Sequence, residues 1–259
     1  MKIKQIRNAT IVLDYGGSRF LIDPMFSDKG AYTSFPSATD NTEDNPIKGL
    51  PVSIDEIVDG VEAVILTHSH IDHWDEAAAE AIRKDIPFFV QHEGDKKLVE
   101  ESGFTNVKII PESKTFGDVE LTRTETLHYA TEDAKNTLIE FGFVTDVMGI
   151  VFKNQAEKTV YLAADTIWFE GVEAAIDTHH PEVIIANLGG NAFENGRLIM
   201  DDNDLKLLQQ HAPEADIVAT HMEAVNHWVT SKDDLLAVAK QNHFVDQLHI
   251  PEDGDTVEF

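Results

Sequence analysis

The chain contains no cysteine. Disulfides, thiolate nucleophiles and thiolate metal sites are thereby excluded, so a transition-metal site has to be built from His, Asp, Glu or backbone oxygen. Positive charge is scarce: 20 Lys and Arg stand against 47 Asp and Glu, for a formal net charge of -27. A field of that sign repels nucleic acid and anionic membrane, and neither is an expected partner. No window reaches the roughly 18 uninterrupted apolar residues of a membrane span, and the opening MKIKQIRNATIVLDYGG lacks the apolar core of a signal peptide. A cytoplasmic protein is the expectation. Solenoid repeats, low-complexity tracts and Pro/Gly/Ser linkers are also missing, which predicts one domain over residues 1–259. A homo-oligomer is left open by the sequence.

Strand-length patterns are plentiful. Lys2–Arg7, Thr10–Tyr15 and Arg19–Ile22 read as a meander turned at Gly16-Gly17. From Met25 to Val52 the density of Gly, Ser, Asn and Pro predicts a long ordered loop of the kind that often forms a lid. Ser53–Glu56 fits a capping box. Alternation follows: strand Ala63–Thr67, helix Asp75–Lys84, strand Pro87–Gln91, helix Gly94–Ser102 and strand Val107–Ile110. Glu120–Leu127 and the run Leu138 to Lys153 read as antiparallel strands, since Glu140 and Asp146 interrupt the apolar residues. Strand Thr159–Ala164, helix Phe169–Asp177, strand Glu182–Asn187, helix Asp201–His211, strand Asp216–Thr220 and helix Lys232–Asn242 complete the chain. Two strand-and-helix halves flanking an antiparallel stretch predict a mixed α/β (α+β) fold, a four-layer αββα sandwich.

Titratable residues gather where such a fold would collect them. In ILTHSHIDHWD a buried strand ends at Thr67, and His68, His70, Asp72 and His73 follow on the loop with HxHxDH spacing. Residues two apart on extended chain point to one side, so His68 and His70 can share one divalent ion while Asp72 and His73 turn toward a second. Four ligands do not close two sites. Three further strands end in the residue types required: TRTETLHYA at His128, VYLAADT at Asp165 and DIVATHMEA at His221.

This order, HxHxDH then His, Asp and His across the whole chain, resembles the metallo-β-lactamase-fold hydrolase superfamily. RNATIVLDYGGSRFLIDP, NPIKGLP, THSHIDHWD and ATHMEAVNHW are similar to its branch containing ascorbate-6-phosphate lactonase. The resemblance implies that His68, His70 and His128 bind one metal, that Asp72, His73 and His221 bind the other, and that Asp165 bridges them. Two divalent ions follow as cofactors; His and carboxylate ligands accept Zn, Mn or Fe alike. A hydroxide bridging the two ions would attack a small-molecule substrate, a lactone or other ester by preference, with Asp72 as the catalytic proton carrier. A small-molecule phosphodiesterase and a non-catalytic or redox metal-binding protein are the alternatives.

Substrate contacts are read from the neighbouring loops. Tyr129 follows His128, Glu223, Asn226 and His227 follow His221, and Arg197 is the arginine at a strand-end position, with Lys48 as a second cationic candidate. Asp23 either orients a ligand histidine or ends its strand before Pro24. His92 could face the cleft, whereas His179, His180, His211, His243 and His249 read as structural or solvated.

Overall fold

Strands apolar at every position, such as Val160–Ala164, need a partner on both faces, and the fold of residues 1–259, described by a computed structural model, provides one. The first sheet holds β1 (Lys2–Arg7), β2 (Thr10–Tyr15), β3 (Ser18–Ile22), β4 (Ala63–Ile65), β5 (Phe88–Val90) and β6 (Val107–Ile109), and the last strand β16 (Thr256–Glu258) returns to its edge beside β1. The second holds β7 (Ser113–Phe116), β8 (Val119–Thr124), β9 (Gly149–Lys153), β10 (Val160–Ala164), β11 (Val183–Asn187), β14 (Asp216–Thr220) and β15 (Leu248–His249). A short hairpin joins β12 (Ala192–Phe193) to β13 (Gly196–Arg197). Each sheet is antiparallel in one half and parallel in the other, the change falling at β3 in the first and at β10 in the second.

Three cores separate four layers. Between the sheets, Ile11, Leu13, Phe20 and Ile65 meet Ile150, Phe152, Val160, Leu162 and Val218. The outer face of the first sheet, through Val12, Leu21, Val64 and Phe88, is covered by α1 (Ile54–Val58), α2 (Glu76–Ala81) and α3 (Glu93–Glu101). The outer face of the second, through Tyr161, Ala163, Ile184 and Ile217, is covered by α5 (Glu170–His179), α6 (Asp202–His211) and α7 (Lys232–Gln241). Alternate residues of β10 thus feed different cores, as the two-residue period of a strand requires. The architecture is the expected αββα sandwich.

One expected element is different. Leu138 lies inside a helix, α4 (Glu132–Glu140), and the strand begins only at Gly149. Thr131 Oγ1 accepts from the Ala134 amide at 3.1 Å and caps the helix. Ala134 and Leu138, four apart, are buried with Phe193, Leu198 and Ile199. Residues 141–148 then run without regular structure. Their apolar side chains, read as strand, include Phe143, which faces the site described below.

The long loop carries no helix, and its one isolated bridge pairs Tyr32 with Asn45. It is tied from beneath. Arg7, fully buried, donates to the carbonyls of Met25, Ser27 and Lys48. Asn226 Oδ1 accepts from the Phe35 amide and Asn45 Nδ2, both at 2.8 Å, and its Nδ2 donates to the Phe35 and Asn41 carbonyls. Asn226→Ala strips four partners at once and should lower stability by about 1–3 kcal/mol. Hydrogen exchange should quicken over residues 33–46, and unchanged protection there would show that the tie lies elsewhere.

Candidate metal centre

Parallel strands deliver their following residues to one edge of a sheet. Asp23 follows β3, the His68 to His73 loop follows β4, Asp165 follows β10 and His221 follows β14, so all arrive at the same rim, between the two sheets. His128 comes in from the segment after β8. The backbone is bent to aim them. Asn8, Asp23, Ala164, His221 and Glu223 all have left-handed φ, from 46° to 59°, a conformation that costs roughly 1–3 kcal/mol for a residue with a side chain and clusters at functional sites. Gly189 makes room instead of aiming a side chain. A Cβ there would strike the His221 carbonyl, so glycine lets the loop after β11 pass under the site.

Four imidazoles have one nitrogen fixed by the protein and the other turned inward. His73 Nδ1 donates to Asp23 Oδ2 at 2.9 Å, His70 Nε2 to the Val144 carbonyl at 2.8 Å, and His128 Nδ1 to the Leu198 carbonyl at 3.1 Å. His68 Nδ1 donates to Thr67 Oγ1 at 3.1 Å, and that hydroxyl donates to Asp23 Oδ2 at 2.7 Å. Such outer partners select the tautomer and hold the ring for a metal. The inward nitrogens converge. Ligand atoms of His68, His70 and His128, of His68, His73 and Asp165, and of Asp72, His73 and His221 form three groups within each of which the atoms lie no more than 4.8 Å apart. Asp165 stands between: its Oδ2 is 3.8 Å from His68 Nε2, 3.7 Å from His128 Nε2 and 3.3 Å from His73 Nε2, while its Oδ1 is 3.9 Å from His221 Nε2.

Charge in this cluster calls for a cation. Burial holds the His68 imidazole well below its ordinary pKa and pushes that of His128 down to about 3. Burial opposes the charge on His73 as well, yet Asp165, Asp72 and Asp23 around it outweigh burial and hold that imidazole well above its usual value. Burial likewise opposes ionisation of Asp72 and Asp165, but His73, His221 and their neighbours win, and both carboxyls are held below the ordinary carboxylate range. His68 Nε2 and His128 Nε2 are buried with no hydrogen-bond partner. Neutral imidazole nitrogens left free beside ionised carboxylates are the donor set of a first-row divalent ion, and the seven residues fit one.

Beside the cluster lies a narrow pocket of about 30 Å³. His70, Asp72, His128 and Asp165 form its polar end; Phe35, Leu138, Phe143, Phe193 and Leu198 form its apolar walls, with Asn191 and His227 between. No Lys or Arg lines it. Of the side chains expected to touch substrate, the structure brings His227 here, where burial pushes its imidazole down to about 4. Asn191 Nδ2 donates to its Nε2 at 3.3 Å.

The other four are engaged elsewhere. Arg197 is held by Asp201 at 2.6 Å and Asp204 at 2.8 Å, partners four and seven residues on. Glu223 accepts from the Lys232 amide and lies 3.4 Å from Lys48 Nζ, so both charged candidates of that corner satisfy one another. Asn226 ties the long loop, and Tyr129 lies under Lys135 Nζ, 5.0 Å from its ring centroid. His92 caps α3, accepting from the Asp95 amide. Residues that sequence reasoning passed over complete the site. Asn8 Nδ2 reaches Asp72 Oδ2 at 3.3 Å and His221 Nε2 at 3.1 Å, and Asn187 Nδ2 donates to Asp165 Oδ1 at 2.6 Å. Asn8, in the turn between β1 and β2, carries the signature of a turn residue and nothing more.

Known proteins resemble the whole chain. A family model described as Beta-lactamase superfamily domain matches residues 18–226. The UPF0173 protein YddR of Bacillus subtilis is 43% identical over 260 residues, covering 100% of both chains. The crystal structure of an isothiocyanate hydrolase from Delia radicum gut bacteria superposes with a TM-score of 0.93 at 36% identity, covering 100% of this chain and 99% of that one. A possible metal-dependent hydrolase from Veillonella parvula gives 0.94 at 37% identity over the same shares.

Asp23 touches none of the inward nitrogens, yet it holds His73 directly and His68 through Thr67. Asp23→Asn should therefore weaken binding of a divalent ion about 10–100-fold, measured by competition with a chromophoric chelator. Unaltered affinity would assign Asp23 to the fold alone.

Proposed function

Because the chain belongs to the beta-lactamase superfamily and, within it, to the UPF0173 metal-dependent hydrolases, we propose that it hydrolyses a small uncharged molecule at an electrophilic carbon. His68, His70 and His128 would hold one divalent ion and Asp72, His73 and His221 a second, with Asp165 shared between them. When bound, the ions would supply a water acid enough to attack near neutral pH and a positive field for the developing oxyanion. The observation that carries the substrate class is the pocket: apolar walls meet the ligand cluster with no cationic side chain among them.

Residues of the chain divide the remaining work. Asp72 lines the pocket, and its Oδ2 lies 3.2 Å from His221 Nε2. In this reading its carboxylate would take up a proton from the attacking water and return it to the leaving group. His227 lines the pocket, and with Asn191 donating to its Nε2 the imidazole would carry its proton on Nδ1, free to donate to a heteroatom of the substrate. Phe35, Phe143 and Phe193 exclude bulk water, which strengthens each of these contacts.

A lactone or carboxylic ester is the first class this arrangement suits, and the similarity of motifs to the ascorbate-6-phosphate lactonase branch supports it. A phosphorylated substrate would want an anchor that Arg197 and Lys48, already paired, do not offer. A second reading is favoured by the narrowness of the pocket and by the 36% identical isothiocyanate hydrolase. An isothiocyanate is thin, linear and uncharged, and water added at its central carbon releases an amine and carbonyl sulfide. Phosphodiesters suit the pocket less, because its walls offer no side-chain cation to hold a phosphate oxygen beyond those the ions would take.

Metal-loaded protein should turn over simple lactones, aryl esters or arylalkyl isothiocyanates faster than bis-aryl phosphates in a single side-by-side assay. Phosphodiester turnover above all three would reverse the reading, and inactivity on every class with two ions bound would favour a non-catalytic metal protein. Asp72→Asn should lower kcat about 10²–10⁴-fold, while the ion held by His68, His70 and His128 stays bound.

A further inference from the structure

Phe141, at the end of α4, is the most exposed large apolar side chain of the molecule at 58%. The core of α4 is made through Ala134 and Leu138 without it. It is joined to the candidate metal centre by a line of rings. Phe141 lies against Phe143 with ring centroids 6.4 Å apart and planes 25° from parallel, and Phe143 stands 5.1 Å from the ring of His70. Phe35 closes the other side of Phe143 at 6.3 Å.

Volume makes this line informative. A pocket of about 30 Å³ has room for about two water molecules. It holds the reacting group of a substrate; the remainder has to lie outside. On the His128 side the surface turns polar, with Arg123, Glu125, Thr126 and Lys135 along a wide groove. At Phe143 it continues apolar to Phe141.

We propose that the substrate carries an unbranched alkyl or arylalkyl tail that leaves the pocket over Phe143 and lies on Phe141. This rests on the uncharged-carbon reading above and adds to it a substrate dimension: reacting group at the ligand cluster, apolar tail on the surface of α4. Scattered exposed apolar residues need no explanation, but a contiguous strip that starts at a pocket marks a binding surface. The occupant is inferred from that continuity, because the strip meets the pocket wall at a shared residue, Phe143.

Uncharged primary carboxamides, from propanamide to octanamide and including 4-phenylbutanamide, provide probes that bind without needing to react. Titrated calorimetrically into metal-loaded protein, they should gain affinity about threefold per added methylene until the chain covers Phe141, and then level off. Phe141→Ser should flatten the long-chain part of the series and leave the shortest amides unchanged, whereas Ile139→Ser, on another side of α4, should leave the whole series unchanged; both side chains are exposed, so folding is retained. Equal slopes in wild type and Phe141→Ser, or no dependence on chain length, would overturn the proposal. So would a wild-type dimer that dissociates in Phe141→Ser with the amide slopes intact, since the strip would then be a subunit interface. Length-dependent binding without turnover of any uncharged substrate would leave the tail site standing and overturn the hydrolytic reading alone.

Discussion

Asp23 sits beneath both halves of the ligand set. One of its oxygens accepts from His73 and from the Thr67 hydroxyl, and the other from the Thr67 amide at 2.7 Å. The Thr67 hydroxyl in turn receives the proton of His68, so a single carboxylate dictates which nitrogen faces inward on residues of two different ligand groups. Its own position comes from the first sheet: the Asp23 amide donates to the Ile65 carbonyl, joining the ends of β3 and β4. Rings, tautomers and the spacing of the two groups follow from that contact.

The rest of the architecture serves to bring opposite halves of the chain to this point. Parallel strands of the first sheet contribute the His68 loop, parallel strands of the second contribute Asp165 and His221, and the shared core between the sheets fixes the distance between them. Asn187 does for Asp165 some of what Asp23 does for His73, holding one oxygen at 2.6 Å while the other turns to the imidazoles. Left-handed backbone at Asp23, Ala164 and His221 shows that these aims are imposed against local preference. The packed sheets supply the stability that such strain consumes.

What could be read from residues alone follows a physical line. The candidate ligands were legible because most of them follow a strand end, where titratable side chains have no role in the core, and because metal chemistry without cysteine admits few residue types. The sandwich was legible because its strands and helices alternate with clear periods. Leu138 to Lys153 misled because a short apolar stretch has no period of its own, and what made Leu138 helical was burial against Phe193 and Leu198, contacts distant in sequence. Arg197 shows a different limit: its charge suggested an anion, while Asp201 and Asp204, visible in the same loop, already supplied one. Asn8 and the apolar walls of the pocket were invisible, since a turn asparagine and a phenylalanine look the same wherever they are used.

The outward nitrogens of His68, His70, His73 and His128 are all held by protein groups, three of them by a single hydrogen bond to a carbonyl or carboxylate. Hydrogen bonds of this kind orient the rings through contacts within the chain itself, so a divalent ion taken up there would find its donors already aimed and would have little left to rearrange.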